Sequence, residues 1–572
     1  MGIILTPSTA SPAPLGTLIT WTAAAQDADP GTLSYRFRTR FGSAPFRTVV
    51  DFGPGSSFAW TTIASEGAWE IEAAVKNAST GEIASIRTLF VFTPLAVGPD
   101  AVVTPSANPT VFIYSAPPCT EGRMHVEFSS ADGVVQSTAP KTCVRGRTMN
   151  FYLAGMHPGG QYTAHHVVST RTASQTGPPV SFTTPNITVK PPAAALVTTP
   201  VGGVESGFLL QSLFYTPSIA TDLSGNIVWY SPSDLSYLTR PLDGGTFLGL
   251  GEDGTKDPSY QFMREFDLAG VTVAQTNAAR VNEQLALLGV HPITGFHHEA
   301  RKLPNGNYLV LAASERMLTD VQGPGTVDVV GDTILVLDQD LNVVWTWDAF
   351  DHLDPHQAAP MNEKCNYPST PACPPIYLAK TANDWLHGNS LQLTPDGNIL
   401  YSVRNQDWIV KIDYENGGGS GAVLWRLGMG GDFQIQASDP SPWFSHQHDA
   451  NFQPDNMSLM VFDDGNQRAV VDPNAHSRGQ QLRIDETNRQ ATLVLNADLG
   501  TYSPAVGSAQ ALPDGNYHFD SGFINVTDSS GSFVGTVSQS VETDGSGNIV
   551  YAIQFSATEY RSFRMTDLYT AP

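Results

Sequence analysis

Apolar and polar residues alternate over most of the chain. Thr17-Leu-Ile-Thr-Trp-Thr, Leu33-Ser-Tyr-Arg-Phe-Arg, Ala68-Trp-Glu-Ile-Glu-Ala and Arg87-Thr-Leu-Phe-Val-Phe each put every second side chain on one face. Such period-2 segments, cut by Pro, Gly and Asp turns, read as half-buried strands. Their spacing predicts an Ig-like β-sandwich over residues 1–97. Thr110-Val-Phe-Ile-Tyr, Met124-His-Val-Glu-Phe, Met149-Asn-Phe-Tyr-Leu and Tyr162-Thr-Ala-His-His-Val-Val continue the pattern. They predict a second, fibronectin-like sandwich over residues 98–188. One short amphipathic helix is expected around Val281–Leu288.

After the linker Val189-Lys-Pro-Pro-Ala-Ala-Ala a repeat begins. Pro304-Asn-Gly-Asn, Pro395-Asp-Gly-Asn and Pro513-Asp-Gly-Asn each precede an apolar strand, with Pro454-Asp-Asn-Met and Leu242-Asp-Gly-Gly as looser copies. Asn-Gly and Asp-Gly supply the positive-φ residues that tight hairpins require. A second unit alternates with the first: strand, Asp-rich turn, then a strand often holding Trp. It recurs at Ala220–Tyr230, Arg264–Ala274, Ile334–Trp347, Ile409–Trp425, Gln481–Leu495 and Val537–Ile553. Val197–Tyr215 is expected to be the remaining inner hairpin. Six such pairs predict a six-bladed β-propeller over residues 189–572, so the whole chain is all-β. The lack of helices between strands excludes a parallel α/β fold.

Composition narrows the function. The net charge of −24 comes from 54 acidic against 30 basic residues, with no basic stripe. Nucleic acid is therefore not an expected partner. No apolar run reaches the ~20 residues of a membrane-spanning helix. Four cysteines fall into two local pairs, Cys119 with Cys143 and Cys365 with Cys373. Two disulfides and a secreted or periplasmic location follow, although the chain shows no signal peptide.

The repeat also places chemistry. In a propeller the first strand of each blade lines the central axis, so equivalent positions converge at one end of the channel. Six residues before each turn proline stand His298, Asn389, His448 and Gly507. His387 lies two residues before Asn389, and His446 two before His448, hence on the same faces. Arg404, in Ser402-Val-Arg, is on the next strand of the blade holding His387. A guanidinium among imidazoles suits an oxyanion.

Asp384-Trp-Leu-His-Gly-Asn-Ser, Ser402-Val-Arg, Leu424-Trp-Arg-Leu-Gly with Gly431-Asp-Phe, and Phe444-Ser-His-Gln-His-Asp-Ala occur in order. Over about residues 195–570 these motifs resemble the arylsulfotransferase family, which uses aryl sulfate donors and no nucleotide cofactor. Two sandwiches before the propeller set the chain apart from better-known bacterial members, and it is closer to the branch with a His-Asp or His-Glu signature. The resemblance implies His448 as a nucleophile that carries the sulfuryl group. His387, Asn389 and Arg404 match the sulfate contacts. His298 matches the histidine of an earlier blade, with His297 as its rival. His446 and Gln447 join the expected substrate contacts. The implied partners are a small aryl sulfate and a phenol, with homodimer formation left open. No cofactor or metal is needed. Two other readings stand beside this one: a non-catalytic secreted propeller binding glycans or aromatic ligands, and a metal-dependent hydrolase or lyase using His298, His387 and His448.

Overall fold

A computed structural model describes residues 1–131, 133–370 and 373–572. Pro371 and Ala372, in the loop between Cys365 and Cys373, lie outside the described residues.

The first sandwich packs Gly2–Pro7, Ile19–Gln26 and Ser57–Trp60 against a sheet built on Leu33–Phe41, Arg47–Gly53, Gly67–Asn77 and Ile83–Thr93. The alternation sends Trp21, Phe37, Ile71, Phe90 and Phe92 into one core. The second sandwich sets Val102–Pro105, Phe112–Ala116 and Met149–Leu153 against sheet strands that include Arg123–Ser130 and Gln161–Ser169. Tyr114, Val126, Phe128 and Phe151 fill it. Cys119 is bonded to Cys143, and Cys365 to Cys373. No helix among the described residues is long and apolar enough to cross a membrane.

Six sheets follow, each with four antiparallel strands in chain order from an inner to an outer edge. The second is Leu235–Leu242, Thr246–Gly251, Phe262–Asp267 and Thr272–Asn277. The third is Gly295–Lys302, Tyr308–Thr319, Thr326–Leu337 and Val343–Asp348. The fourth is Gly388–Leu393, Ile399–Val403, Trp408–Ile412 and Val423–Gly428. The fifth is His448–Phe452, Ser458–Asp463, Arg478–Asp485 and Gln490–Asp498. The sixth is Gly507–Ala511, Tyr517–Thr527, Phe533–Thr543 and Ile549–Phe555. The first sheet differs, because its inner strand is the C-terminal Glu559–Met565, which pairs with Phe208–Leu213 ahead of Ile219–Asp222 and Ile227–Tyr230.

That closure corrects the expectation that Val197–Tyr215 forms an inner hairpin. Ala194–Thr198 instead pairs with Ile549–Phe555 at the outer edge of the sixth sheet. The two ends of this region thus meet in both the first and sixth sheets. No turn motif announces the pairing, since the partners lie hundreds of residues apart.

The inner strands touch their neighbours in order and return to the start: second to third, fourth, fifth, sixth, first and second. Side chains staple each step to a neighbouring backbone. Thr239 Oγ1 donates to Ala300 O (3.0 Å), Gln392 Nε2 to Phe452 O (2.8 Å), Asn451 Nδ2 to Ala509 O (2.9 Å), Ser508 Oγ to Ser562 O (2.7 Å) and Ser212 Oγ to Leu238 O (2.6 Å). Between the third and fourth sheets the Gly388 N–H donates to Asp332 Oδ2 (2.7 Å). A Cβ on Gly388 would stand 2.3 Å from the Tyr401 ring, so only glycine permits this approach.

Within the ring lies a buried charge cluster. Arg240 bonds Glu299 (2.7 Å) and Asp449; Arg561 lies 3.0 Å from Glu299; Arg301 is 3.6 Å from Glu299 and 3.8 Å from Asp449. Burial alone would raise both carboxyls, but Arg240, then Arg561 and Arg301, hold them below the ordinary range. A second buried pair has no salt-bridged cation among the described residues: burial pushes Glu559 up to about 8, and Asp520, facing it, well up as well.

Two predictions follow from these pairs. Asp449→Ala leaves three guanidiniums against one carboxylate and is expected to cost about 3–5 kcal/mol in urea unfolding. Glu559 keeps its proton in the folded state up to about 8, whereas its ordinary value is 4.5. Stability therefore falls as pH rises through that window and levels off above it. Glu559→Gln removes this contribution, so melting temperature measured across the window declines less than in the native chain.

Candidate active site

The sequence-matched histidines meet where the inner strands of the third, fourth and fifth sheets begin. Each strand is bulged there. Pairing skips from Phe296 to Ala300, from Gly388 to Ser390 and from His448 to Asn451. A bulge re-aims side chains and breaks strict alternation. Positive φ at His298 (59°) and His387 (51°) belongs to the same distortion.

His448 is buried, and its Nδ1 lies 2.9 Å from Asp464 Oδ1. The Val506 N–H points at its Nε2 from 3.3 Å. A donor at Nε2 requires a lone pair there, which puts the ring proton on Nδ1, donated to Asp464. Burial, then the Arg404 charge and His387, push His448 well below its ordinary value, so the ring is neutral. Burial also pushes the Asp464 carboxyl well up, which disfavours its negative charge while the ring beside it is neutral. Val506 itself has φ of 56°, a strained conformation for a β-branched residue.

His387 repeats the arrangement: Nδ1 lies 2.7 Å from Asp384 Oδ2. Burial would raise Asp384, but His387 and then Arg404 outweigh it and hold the carboxyl low. The His298 and His387 ring centroids are 4.7 Å apart. His298 is pushed well below its ordinary value by burial, then by His387, His297 and His448. Its ring also edges onto Tyr560 (5.7 Å), which packs on Tyr237 (4.7 Å) and Phe214 (5.9 Å). An aromatic wall therefore adjoins the imidazoles.

Arg404 donates to Asn405 Oδ1 (2.8 Å) and Pro504 O (3.0 Å), and its charge acts on His448, Asp464 and Asp384. It stands between two of the imidazole–carboxylate pairs.

The remaining expected residues behave differently. Asn389 is fully buried; its Nδ2 donates to Gln447 O (2.7 Å), and its own carbonyl accepts from Tyr560 and Arg561. Gln447 Nε2 donates to Trp408 O (2.8 Å), so that side chain braces the fourth sheet against the fifth. His446 has Asp407 at Nδ1 (2.8 Å) and Glu363 at Nε2, so both its nitrogens are engaged. His297 lies between His298 and Asp332. Asn389 and Gln447 thus hold the backbone and His446 is engaged by two carboxylates, whereas His298, His387, His448 and Arg404 come together.

The acids behind the rings were not singled out from the sequence. Asp464 directly follows the run Leu459-Met-Val-Phe-Asp463, and Asp332 interrupts Val329-Val-Gly-Asp-Thr-Ile-Leu. A carboxylate within an apolar strand, or directly after one, is the signal that points to them.

The family profile described as Arylsulfotransferase (ASST) matches residues 195–564. The chain belongs to the arylsulfotransferase family. Its matched region runs from the outermost strand of the sixth sheet to the closing strand of the first. No curated protein matches the chain. Among solved structures, the chicken CNTN1 FN1–FN3 domains match at 11% identity and a TM-score of 0.13, over 32% of this chain and 64% of that one. The chicken interferon gamma receptor alpha chain matches at 10% and 0.14, over 31% and 98%. The chain thus spans just under two thirds of the first of these.

Among the described residues, the one group of three or more His, Cys, Asp or Glu whose ligand atoms all lie within 4.8 Å of one another is Asp27, Asp29 and Glu82, far from the histidines in sequence. His298, His387 and His448 do not form such a group.

Because Arg404 is the first charge depressing His448, Arg404→Ala is expected to raise the His448 titration midpoint toward the ordinary 6.5. Histidine NMR, with the resonance assigned by its loss in His448→Asn, measures the shift.

Proposed function

We propose that this arylsulfotransferase-family chain transfers a sulfuryl group from an aryl sulfate to a phenol through a sulfohistidine on His448. The observation that carries this reading is the buried, neutral His448, with Asp464 on Nδ1 and a lone pair on Nε2. The six sheets are read as the blades of a β-propeller over residues 189–572, with sandwiches over 1–97 and 98–188. The closed order of inner strands supports that reading. Two disulfides support a secreted or periplasmic setting.

In the first step the Nε2 pair attacks sulfur, the bond from sulfur to the aryl oxygen breaks, and a phenolate leaves. Asp464 stabilises the positive ring that results. Arg404 offsets charge on the sulfuryl oxygens, and Asp384 holds the His387 ring in place beside them. In the second step an acceptor phenol gives its proton to a neighbouring imidazole, and its oxygen attacks sulfur. The N–S electrons then return to His448. The proton taken from one acceptor is available for the next leaving phenolate, and the kinetics are ping-pong. The aromatic wall of Tyr237, Tyr560 and Phe214 supplies an apolar neighbour for aryl rings.

Incubation with p-nitrophenyl sulfate should release p-nitrophenol when a phenol is present. It should also add one sulfuryl mass to the peptide holding His448, as read by mass spectrometry under non-acidic conditions. His448→Asn should abolish both, and Asp464→Asn should slow the first release on the order of 10²-fold or more. An adduct on another residue would overturn the assignment. A folded chain that releases nothing and forms no adduct would favour a binding propeller.

A further inference from the structure

The three imidazoles differ in what stands behind Nδ1. For His448 and His387 it is a carboxylate, and for His298 it is a second imidazole. His297 Nδ1 lies 2.8 Å from His298 Nδ1. Two nitrogens at that separation share a single proton. Which one holds it is decided by the charge further back: Asp332 Oδ1 lies 3.2 Å from His297 Nε2, close enough to act on it electrostatically although no hydrogen bond forms between them. A carboxylate accepts an N–H and repels a lone pair. His297 therefore carries its proton on Nε2, its Nδ1 is the acceptor, and His298 Nδ1–H is the donor. His298 Nε2 is left with a lone pair.

The chain of contacts is held from behind. Asp332 Oδ2 accepts the Gly388 N–H (2.7 Å) and the Tyr401 hydroxyl. The His298 main-chain N–H donates to Tyr237 Oη (2.7 Å). Asp332, His297 and His298 are all buried. Turning either ring over would break the Nδ1–Nδ1 hydrogen bond and leave a further buried nitrogen without a partner.

We infer that His297, backed by Asp332, is a positioning residue that fixes the Nδ1–H tautomer of His298 and so makes His298 Nε2 the base that receives the acceptor phenol's proton. The inference rests on the sulfuryl-transfer reading. The phenol O–H bond breaks, its proton moves to His298 Nε2, and the phenol oxygen bonds to sulfur. The N–S pair returns to His448. The charged His298 ring then strengthens its Nδ1–H bond to His297, which passes the polarisation to Asp332. His297 meets no substrate in this scheme, in contrast to the substrate contact expected for it.

The test uses one donor, p-nitrophenyl sulfate, and phenols of graded acidity at a single pH. A phenol already ionised needs no base. His297→Phe should lose about 10²-fold with un-ionised phenols and only a few-fold with ionised ones. His297→Gln, whose amide can accept from His298 and donate to Asp332, should recover much of the loss. Equal losses across all phenols, or no loss with any, would overturn the inference. A second readout does not depend on activity. In ¹⁵N-histidine NMR, His298, identified by its absence in His298→Asn, should carry its proton on Nδ1 in the native chain and shift it to Nε2 in His297→Phe. A native Nε2–H tautomer would also overturn the inference. Absence of all transfer in the native chain would instead defeat the sulfuryl-transfer reading, while NMR would still decide the tautomer.

Discussion

The structure depends on a knot of buried charge at the centre of the ring. Glu299 and Asp449 are clasped by Arg240, Arg301 and Arg561, drawn from the inner strands of the first, second, third and fifth sheets. Inner strands that run side by side around an axis cannot hydrogen-bond to one another as a sheet does. Something else must set their distance and register. Side chains of opposite sign do so here, and the arrangement tolerates little displacement because an unpaired charge at that depth is very costly. Such clusters add less to net stability than their contacts suggest, and their clearest contribution is to specify one arrangement.

The knot reaches the chemistry through neighbouring residues. Glu299 follows His298, Asp449 follows His448, and Arg561 Nη2 holds the Asn389 carbonyl at 2.7 Å, two residues from His387. The three imidazoles are thus mounted directly on the groups that fix the hub. The same burial gives them their electrostatics. It removes charge from His448 and His298, and the acids behind the rings offset the cost when charge must appear. His446 shows the contrast: it lies two residues from His448 on the same strand approach, yet a carboxylate at each nitrogen makes it a brace between the fifth sheet and the loop bearing Glu363.

How much of this was legible follows from the range of each signal. Asp-Gly and Asn-Gly turns are local, so the hairpins of the second to sixth sheets could be read directly, and registration on the turn proline brought out His298, His387 and His448. The closing strand Glu559–Met565 has no such turn, because its partner lies at the far end of the region. Family likeness does not aim a side chain: the resemblance puts Gln447 among the substrate contacts, whereas alternation turns it away from His446 and His448, and its amide donates to Trp408 O. The arginine knot was invisible for another reason. Arg240, Arg301 and Arg561 each look like an ordinary polar position on an alternating strand, and only the closed ring turns those positions inward.

The sandwiches fit the same logic. Asn108 Nδ2 donates to Tyr230 O (2.8 Å), Tyr152 Oη to Asp267 Oδ2 (3.0 Å), and Tyr569 Oη to Tyr152 O (3.1 Å). Arg280 lies 3.4 Å from Asp51, and Asn277 Nδ2 donates to Phe52 O (2.8 Å). These contacts fall on the first and second sheets, and Val111 and Ala154 continue the apolar core of those sheets into the second sandwich. Flexible spacers would not share a core with what they carry. The histidines come from the third, fourth and fifth sheets. The sandwiches therefore pack against the part of the ring where its two chain ends are joined, and that seam includes Arg561, whose guanidinium contacts both Glu299 and the Asn389 carbonyl.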